Sequence, residues 1–238
     1  GDAELICQRL GVAELVRGGL NADSDDEESE LGISARECFC AVTGEVDQIA
    51  RLHRRTPIAN SKSNAKLVSF QKKSGYDSYG KEQSFNAPIG VKAALAYTTA
   101  LNHLLRKGSP QRMQVGDAST VFWAADVDQS GFEEDFAAVF GELEKDDPDR
   151  GAEAVRNLYR ATATGAYAGD DRDARFCVLG LAPNAARIAV RFWHCSTIAE
   201  LGLRIRQHFD DLELVRPDFE SPYLSLYRLY TSIAMLGK

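Results

Sequence analysis

The sequence predicts an α+β fold: a mixed or antiparallel sheet with packed helices and long irregular basic loops. Three observations carry that prediction. Residues 175–195 place two β-rich runs on either side of Ala-Pro-Asn-Ala, the pattern of a hairpin. Directly after them, Thr197 opens the amphipathic run IAELGLRIRQHFDDL, so a helix should pack back onto that hairpin. Residues 51–88, in contrast, scatter Pro, Gly, Ser and Asn among many basic side chains, which suits loops better than regular elements.

Bulk properties bound the rest. The chain has 238 residues, 44% hydrophobic and 26% charged, with a net charge of −7. A chain of this size buries roughly 70% of its unfolded surface and needs no covalent staples to fold. It suffices for one large domain or two small ones. Cys7, Cys38, Cys40, Cys177 and Cys195 are an odd set without a disulfide-framework spacing, which favours a reducing compartment. No run approaches the ~18 apolar residues of a membrane span, and no signal peptide opens the chain. The expectation is a soluble, cytoplasmic protein without a membrane partner. Its first residue is Gly1, so a fragment or processed product is expected.

In chain order, Leu5, Ile6, Leu10, Val12, Leu15 and Val16 give a short helix closing on Gly18-Gly19. Six acids follow between Asp23 and Glu30, a self-repelling surface loop. The Gly and closing Glu of a twelve-residue calcium loop are missing there. Residues 36–50 read as a strand ending in a Thr43-Gly44 turn. Cys38-x-Cys40 lacks the second ligand pair of a structural zinc site, with Cys177 and Cys195 each standing alone. Two small buried hydrophobes on a core strand are the preferred reading, and no metal is expected.

Residues 57–64 are a loop, Lys66–Gln71 a strand, 72–88 irregular, and 89–106 a helix with the stripe Val91, Leu95, Thr98, Leu101, Leu104 and Leu105, stopped by Lys107-Gly108. A turn at Gly116-Asp117 leads into a buried strand, Thr120–Ala124. Asp126, Asp128 and Glu133 could supply a metal-dependent nuclease. DVDQSGFEEDF reads more plainly as a helix start, with Ser130 capping and Glu133 three residues on. That helix, Phe132–Leu143, is followed by a linker (144–150), another helix (Gly151–Thr162) and an acidic break (169–175). Within the hairpin, Arg175–Leu181 and Ala186–Cys195 are strands around an Ala182–Ala185 turn. Phe176 and Val178 share one face of the first strand; Ile188, Val190 and Phe192 share one face of the second; and Gly180 marks a bulge or bend near the turn. The last helix, Pro222–Leu236, is apolar on most sides and needs a partner. The expected organisation is therefore an α+β part (1–143) that faces nucleic acid and carries a basic island (51–92), a linker and helix (144–174), and a hairpin–helix part (175–238).

The island is the functional signal. Between Arg51 and Lys92 lie nine Lys/Arg and only two acids, in an otherwise acidic chain. Phe70, Tyr76, Tyr79 and Phe85 interleave with them, as in a face built for a polyanion. Residue types alone equally allow a solvated lysine face over core aromatics. Three functions follow: a nucleic-acid-binding subunit, a scaffold binding only sister proteins, or a hydrolase using His53, His103, Asp117, Asp126 and Asp128. The chain has neither a G-x-S-x-G elbow nor a Walker loop, and His208-Phe209-Asp210 lies in a predicted helix, where neighbours two apart diverge. No catalytic residue and no cofactor are therefore expected.

Seven segments carry a family resemblance: CAVTGE (Cys40–Glu45), IARLH (Ile49–His53), LVSF (Leu67–Phe70), SYGKEQSFNAP (Ser78–Pro88), AYTTALNHLL (Ala96–Leu105), VGDASTVFWA (Val115–Ala124) and FCVLGLAPNAARIAVRFW (Phe176–Trp193). Together they resemble the large subunit of the subtype I-C CRISPR surveillance complex, the Csd or Dvulg type of Cas large subunit. One departure is Phe70-Gln71, where the family has Phe-Asn. Members of that family are much longer, so a central piece of such a subunit is expected. The resemblance implies a non-catalytic role near the 5′ end of the CRISPR RNA. It implies recognition of the protospacer-adjacent motif in target double-stranded DNA, help in opening the duplex, and recruitment of a separate helicase–nuclease. Sister Cas backbone and small subunits are the implied protein partners. On that reading, Arg54, Arg55, Lys62, Lys66, Lys72, Lys73 and Lys81 grip phosphates. Asn64, Gln71, Gln83 and Asn86 read bases or separate strands, and Phe70 and Tyr79 wedge or stack.

Overall fold

The computed structural model describes residues 33–71, 81, 83–125, 130–140, 174–184, 187–215, 217, 223, 229 and 232–233. The predicted helices over 3–20 and Gly151–Thr162, the acidic loop, the 144–150 linker, residues 72–80 and nearly all of the last helix lie outside them. The chain divides into two compact units, one of Gly1–Thr56 with Ser63–Leu101 and one of Pro57–Lys62 with Asn102–Lys238. Among the described residues the structure is α+β with antiparallel sheets of two and four strands.

In the first unit, β1 (Ile33–Phe39) and β2 (Val46–Ala50) pair antiparallel, with Cys38 opposite Asp47 and Phe39 opposite Val46. The expected strand and Thr43-Gly44 turn are thus present, and a second strand, which was not expected, follows the turn to complete a hairpin. Gly44 supplies the reversal at φ +72°, a conformation L side chains avoid, and its N–H donates to the Cys40 carbonyl at 2.9 Å. The other edge of β2 is also taken: Ala50 N–H donates to Ile89 O at 3.0 Å and Ile49 bridges Gly90. With both edges of β2 occupied, Lys66–Gln71 finds no place there. It runs as bends after a bridge at Lys66, not as the expected strand.

Helix α1 (Val91–Leu105) follows, as predicted. Its start is held by Asp47 of β2, whose carboxylate accepts the Lys92 N–H at 3.2 Å. A side chain at Gly90 would strike that carboxylate, with a Cβ 2.6 Å from Asp47 Oδ2. Ala50 and Ala94 are fully buried, packed by Ile89, Val91, Leu95 and Tyr97. Beyond the helix, Gly108 at φ +78° provides the stop read from Lys107-Gly108.

The second unit contains β3 (Arg112–Val115), β4 (Ala118–Ala124), β5 (Arg175–Asn184) and β6 (Arg187–Thr197), in that order across one antiparallel sheet. Helices α2 (Ser130–Phe140) and α3 (Ile198–Asp211) cover one face. Phe122, Phe176 and Val178 of the sheet meet Phe132, Phe136 and Val139 of α2 and Ile198, Leu201, Ile205 and Phe209 of α3. Thr197 caps α3 by accepting the Glu200 N–H at 3.2 Å. Glu133, expected three residues past a capping Ser130, is engaged elsewhere among the described residues. Its two oxygens accept from Ala124 N–H (2.7 Å) and Gln111 Nε2 (2.9 Å), fastening α2 to the sheet.

Three hairpin details differ from expectation. β5 continues through Pro183 and Asn184, so the Ala182–Ala185 turn is displaced; Pro183 stands opposite Ile188. The register then jumps from Leu181↔Val190 to Gly180↔Phe192, leaving Arg191 as the extra residue of a bulge. This inverts the alternation: Phe192 lies over Gly180 on the helix-covered face, whereas Ile188 and Val190 lie on the other, so the three do not share a face. A side chain on Gly180 would collide with the Phe192 ring, which explains a glycine inside the strand. Finally, Cys177 and Cys195 do not stand alone. They face each other across β5 and β6 and are joined as a disulfide.

Candidate nucleic-acid interface

The basic island is built against the exit of β2. Arg51 follows directly on Ala50, and its carbonyl accepts the Ser84 hydroxyl at 2.6 Å. Its guanidinium donates to Gln83 Oε1 at 3.0 Å, across 32 positions of sequence. Residues Gln83–Asn86 form a 3₁₀ turn whose first residue takes a left-handed φ of 47°. Asn86 Nδ2 closes that turn from inside, donating to Gln83 O at 2.9 Å and Lys81 O at 3.2 Å. Arg51, Lys81, Gln83 and Asn86 are thereby one constellation.

Beneath Arg51 lies a buried polar pair that charge counting does not reveal. His53 is fully buried, and its Nδ1 shares a 2.5 Å hydrogen bond with the Tyr97 hydroxyl of α1. Burial, assisted by the Lys66 charge, pushes the imidazole down to about 4, so it is neutral at pH 7. Burial also pushes the Tyr97 hydroxyl up. A neutral, sequestered imidazole fixes the loop after β2 and is poorly placed to move protons for a hydrolase. Among the described residues, no group of three or more His, Cys, Asp or Glu could hold a metal ion.

Lys66 is half-buried, and its ammonium is held below its ordinary value, first by burial and then by the Arg51 charge. The Arg51 charge thus reaches Lys66, and an anion bound nearby would favour the charged form of both. Beyond the end of β1, Cys40 is buried and accepts N–H groups from Gly90 (3.2 Å) and Val42 (3.4 Å). Burial raises its thiol, but the N–H groups of Gly90, Thr43 and Val42 outweigh that and bring it down to about 7. Cys40 lies just beyond β1 and Cys38 is only half-buried, so just one of the pair is a core residue, and the Cys40 thiol also accepts hydrogen bonds there.

The remaining predicted residues are spread more widely. Arg54 and Phe70 are half-buried; Arg55, Asn64, Gln71 and Lys81 are exposed. Lys62 is exposed on the Pro57–Lys62 segment of the second unit. Lys72, Lys73 and Tyr79 lie outside the described residues. Arg51, His53 and Tyr97 were absent from the predicted contact set. Arg51 carried a detectable signal as the first cation of the island, whereas the His53–Tyr97 pair, 44 positions apart, left none.

Over residues 1–238 the sequence matches the family described as CRISPR-associated protein (Cas_Csd1). The chain belongs to that family. It is a type I-C Cas large-subunit-like protein, placed by that membership in CRISPR defence and in the context of a Cas complex. No curated protein matches it. Within this Cas family chain, the constellation of Arg51, Lys66 and the Gln83–Asn86 turn draws on two of the segments that carry the family resemblance, Ile49–His53 and Ser78–Pro88.

Proposed function

We propose that this chain is the motif-recognising part of a non-catalytic large subunit in a type I-C RNA-guided surveillance complex. The Arg51–Lys66 cation pair and its neighbours grip the phosphates of target duplex DNA. The Gln83–Asn86 turn, tethered by Arg51, is presented to the protospacer-adjacent motif. The complex then opens the duplex against the guide, near the 5′ end of the CRISPR RNA, and a helicase–nuclease is recruited in trans. In such systems pairing reads the target while protein reads the short motif. The observation that supports this reading is the Arg51 guanidinium bonded at 3.0 Å to Gln83 of an amide-bearing turn, with the Arg51 charge also felt by the half-buried Lys66.

The test is motif-duplex binding by the assembled complex at several salt concentrations. Replacing Arg51 and Lys66 by Gln removes two cations, so the slope of log affinity against log salt should fall by about 2, at roughly 0.9 per phosphate contact. A wild-type slope and affinity in that variant overturn the assignment. If it assembles poorly but binds DNA normally once assembled, the island serves sister subunits instead. Cleavage of DNA by the wild-type chain with Mg²⁺ or Mn²⁺ would overturn the non-catalytic part.

A further inference from the structure

We infer that the face of the four-stranded sheet opposite α2 and α3 is a stacking platform for single-stranded DNA, with an unpaired base on Trp193 and a phosphate at Arg175. Strand alternation and the register place Trp123 of β4 and Trp193 of β6 on this face, on either side of Cys177 and Leu179 of β5. Their rings meet with centroids 5.7 Å apart at 45°. Trp193 nevertheless remains 55% exposed. An indole this accessible on a regular strand, beside a second indole, is the arrangement on which bases stack irrespective of sequence.

The surrounding chemistry favours nucleic acid over a protein partner. The aliphatic side chains of this face are mostly satisfied already: Val121, Leu181 and Ile188 are buried, and Val190 is the exposed exception. What remains accessible is therefore aromatic and cationic more than aliphatic. Alternation also puts Arg112 and Arg175 here, and the described strand residues place no carboxylate on this face. Arg175 is exposed, and its guanidinium reaches across to within 3.6 Å of Cys195 Sγ. The carboxylate of the β3–β4 turn, Asp117, is neutralised by Arg191 at 2.7 Å. In a chain of net charge −7, a face with arginines and without acids is complementary to a polyanion. The choice of DNA rests on the reading above, in which an opened duplex supplies the strand.

Trp123 and Trp193 are the only two tryptophans in the sequence, so selectively excited tryptophan fluorescence reports on this site alone. Titrating the full chain with a short oligo(dT) should quench that fluorescence saturably and in a salt-sensitive way. Trp193→Ala should weaken oligo(dT) binding by roughly tenfold, and Trp193→Phe should recover most of it. Arg175→Gln should lower the salt slope by about 1. Binding without quenching, equal binding by Trp193→Ala, or no binding overturns the platform. Tighter quenching by oligo(rU) than by oligo(dT) overturns DNA as the occupant and puts RNA there. The Arg51/Lys66 variant should keep the quenching. Lost quenching with normal motif binding removes the platform alone, and the reverse removes the island alone.

Discussion

Phe122, Phe132, Phe136 and Phe176 gather under the four-stranded sheet with centroids 4.9 to 6.0 Å apart. The basic segment of the first unit is instead fastened by single polar contacts: Arg51 to Gln83, Ser84 to Arg51, His53 to Tyr97. Burying a phenylalanine stabilises by about 2–3 kcal/mol, whereas a typical hydrogen bond nets about 1. The sheet unit therefore holds its shape by solvent exclusion. The island relies more on matched donors and acceptors, and it gathers like charge, as the Arg51 charge acting on Lys66 shows. A surface kept at that cost is the one where binding should be sought.

The largest effect should come from breaking the aromatic cluster. Phe176 contacts Phe122, Phe132 and Phe136 and is fully buried, so Phe176→Ala should lose about 3–5 kcal/mol and lower the thermal midpoint sharply. The same substitution at Phe70, a half-buried residue of the island, should cost much less. Similar losses in the two variants would erase the distinction between the units.

Acid should act on the island through His53. Its folded value lies near 4 against an ordinary 6.5, so between those limits the unfolded chain binds the extra proton. The contribution is fully present above about pH 6.5 and is lost as pH falls towards 4, roughly 3 kcal/mol across the window. Denaturant midpoints at both ends of that range should show the loss, and His53→Phe should flatten it. An unchanged slope in that variant would mean that carboxylates elsewhere carry the acid sensitivity.

How much of this was readable beforehand depended on the range of the forces. The hairpin at 175–195, helix 89–106 with its Gly108 stop, and the Thr197 start were legible because periodicity and caps act within a few residues. Pairings across distance were not. The Thr43-Gly44 turn was legible, but not that Val46–Ala50 would pair back on β1 beyond it. The bulge at Arg191 depends on the Phe192 ring needing Gly180 opposite it, and the Cys177–Cys195 link needs the register that this bulge fixes. In the candidate site, the excess of cations was visible, but not which of them converge. Arg51 finds Gln83 only because β2 and the Pro88–Gly90 segment run side by side.

A milder test concerns how each unit terminates its elements. Thr197→Ala removes the acceptor for the Glu200 N–H at the start of α3, an end buried at Ile198, and should cost about 1 kcal/mol by denaturant titration without affecting DNA binding. Thr197→Ser, which keeps the oxygen, should restore most of it.

The smallest change in stability should accompany the sharpest change in function. Gln83→Ala removes the exposed side-chain hydrogen bond to Arg51, itself worth about 1 kcal/mol, and releases the Arg51 guanidinium from it. If the tethered turn reads bases, the variant complex should still bind DNA with a near-normal salt slope while discriminating poorly between motif variants. Asn86→Ala should do the same less cleanly, because both Asn86 donor bonds hold the 3₁₀ turn itself. Affinities measured on a panel of motif duplexes separate the outcomes. Equal losses on every duplex would make Gln83 a clamp for Arg51 and leave base reading to other residues. A reordering of the panel would show that a contact almost worthless to folding sets the choice of target.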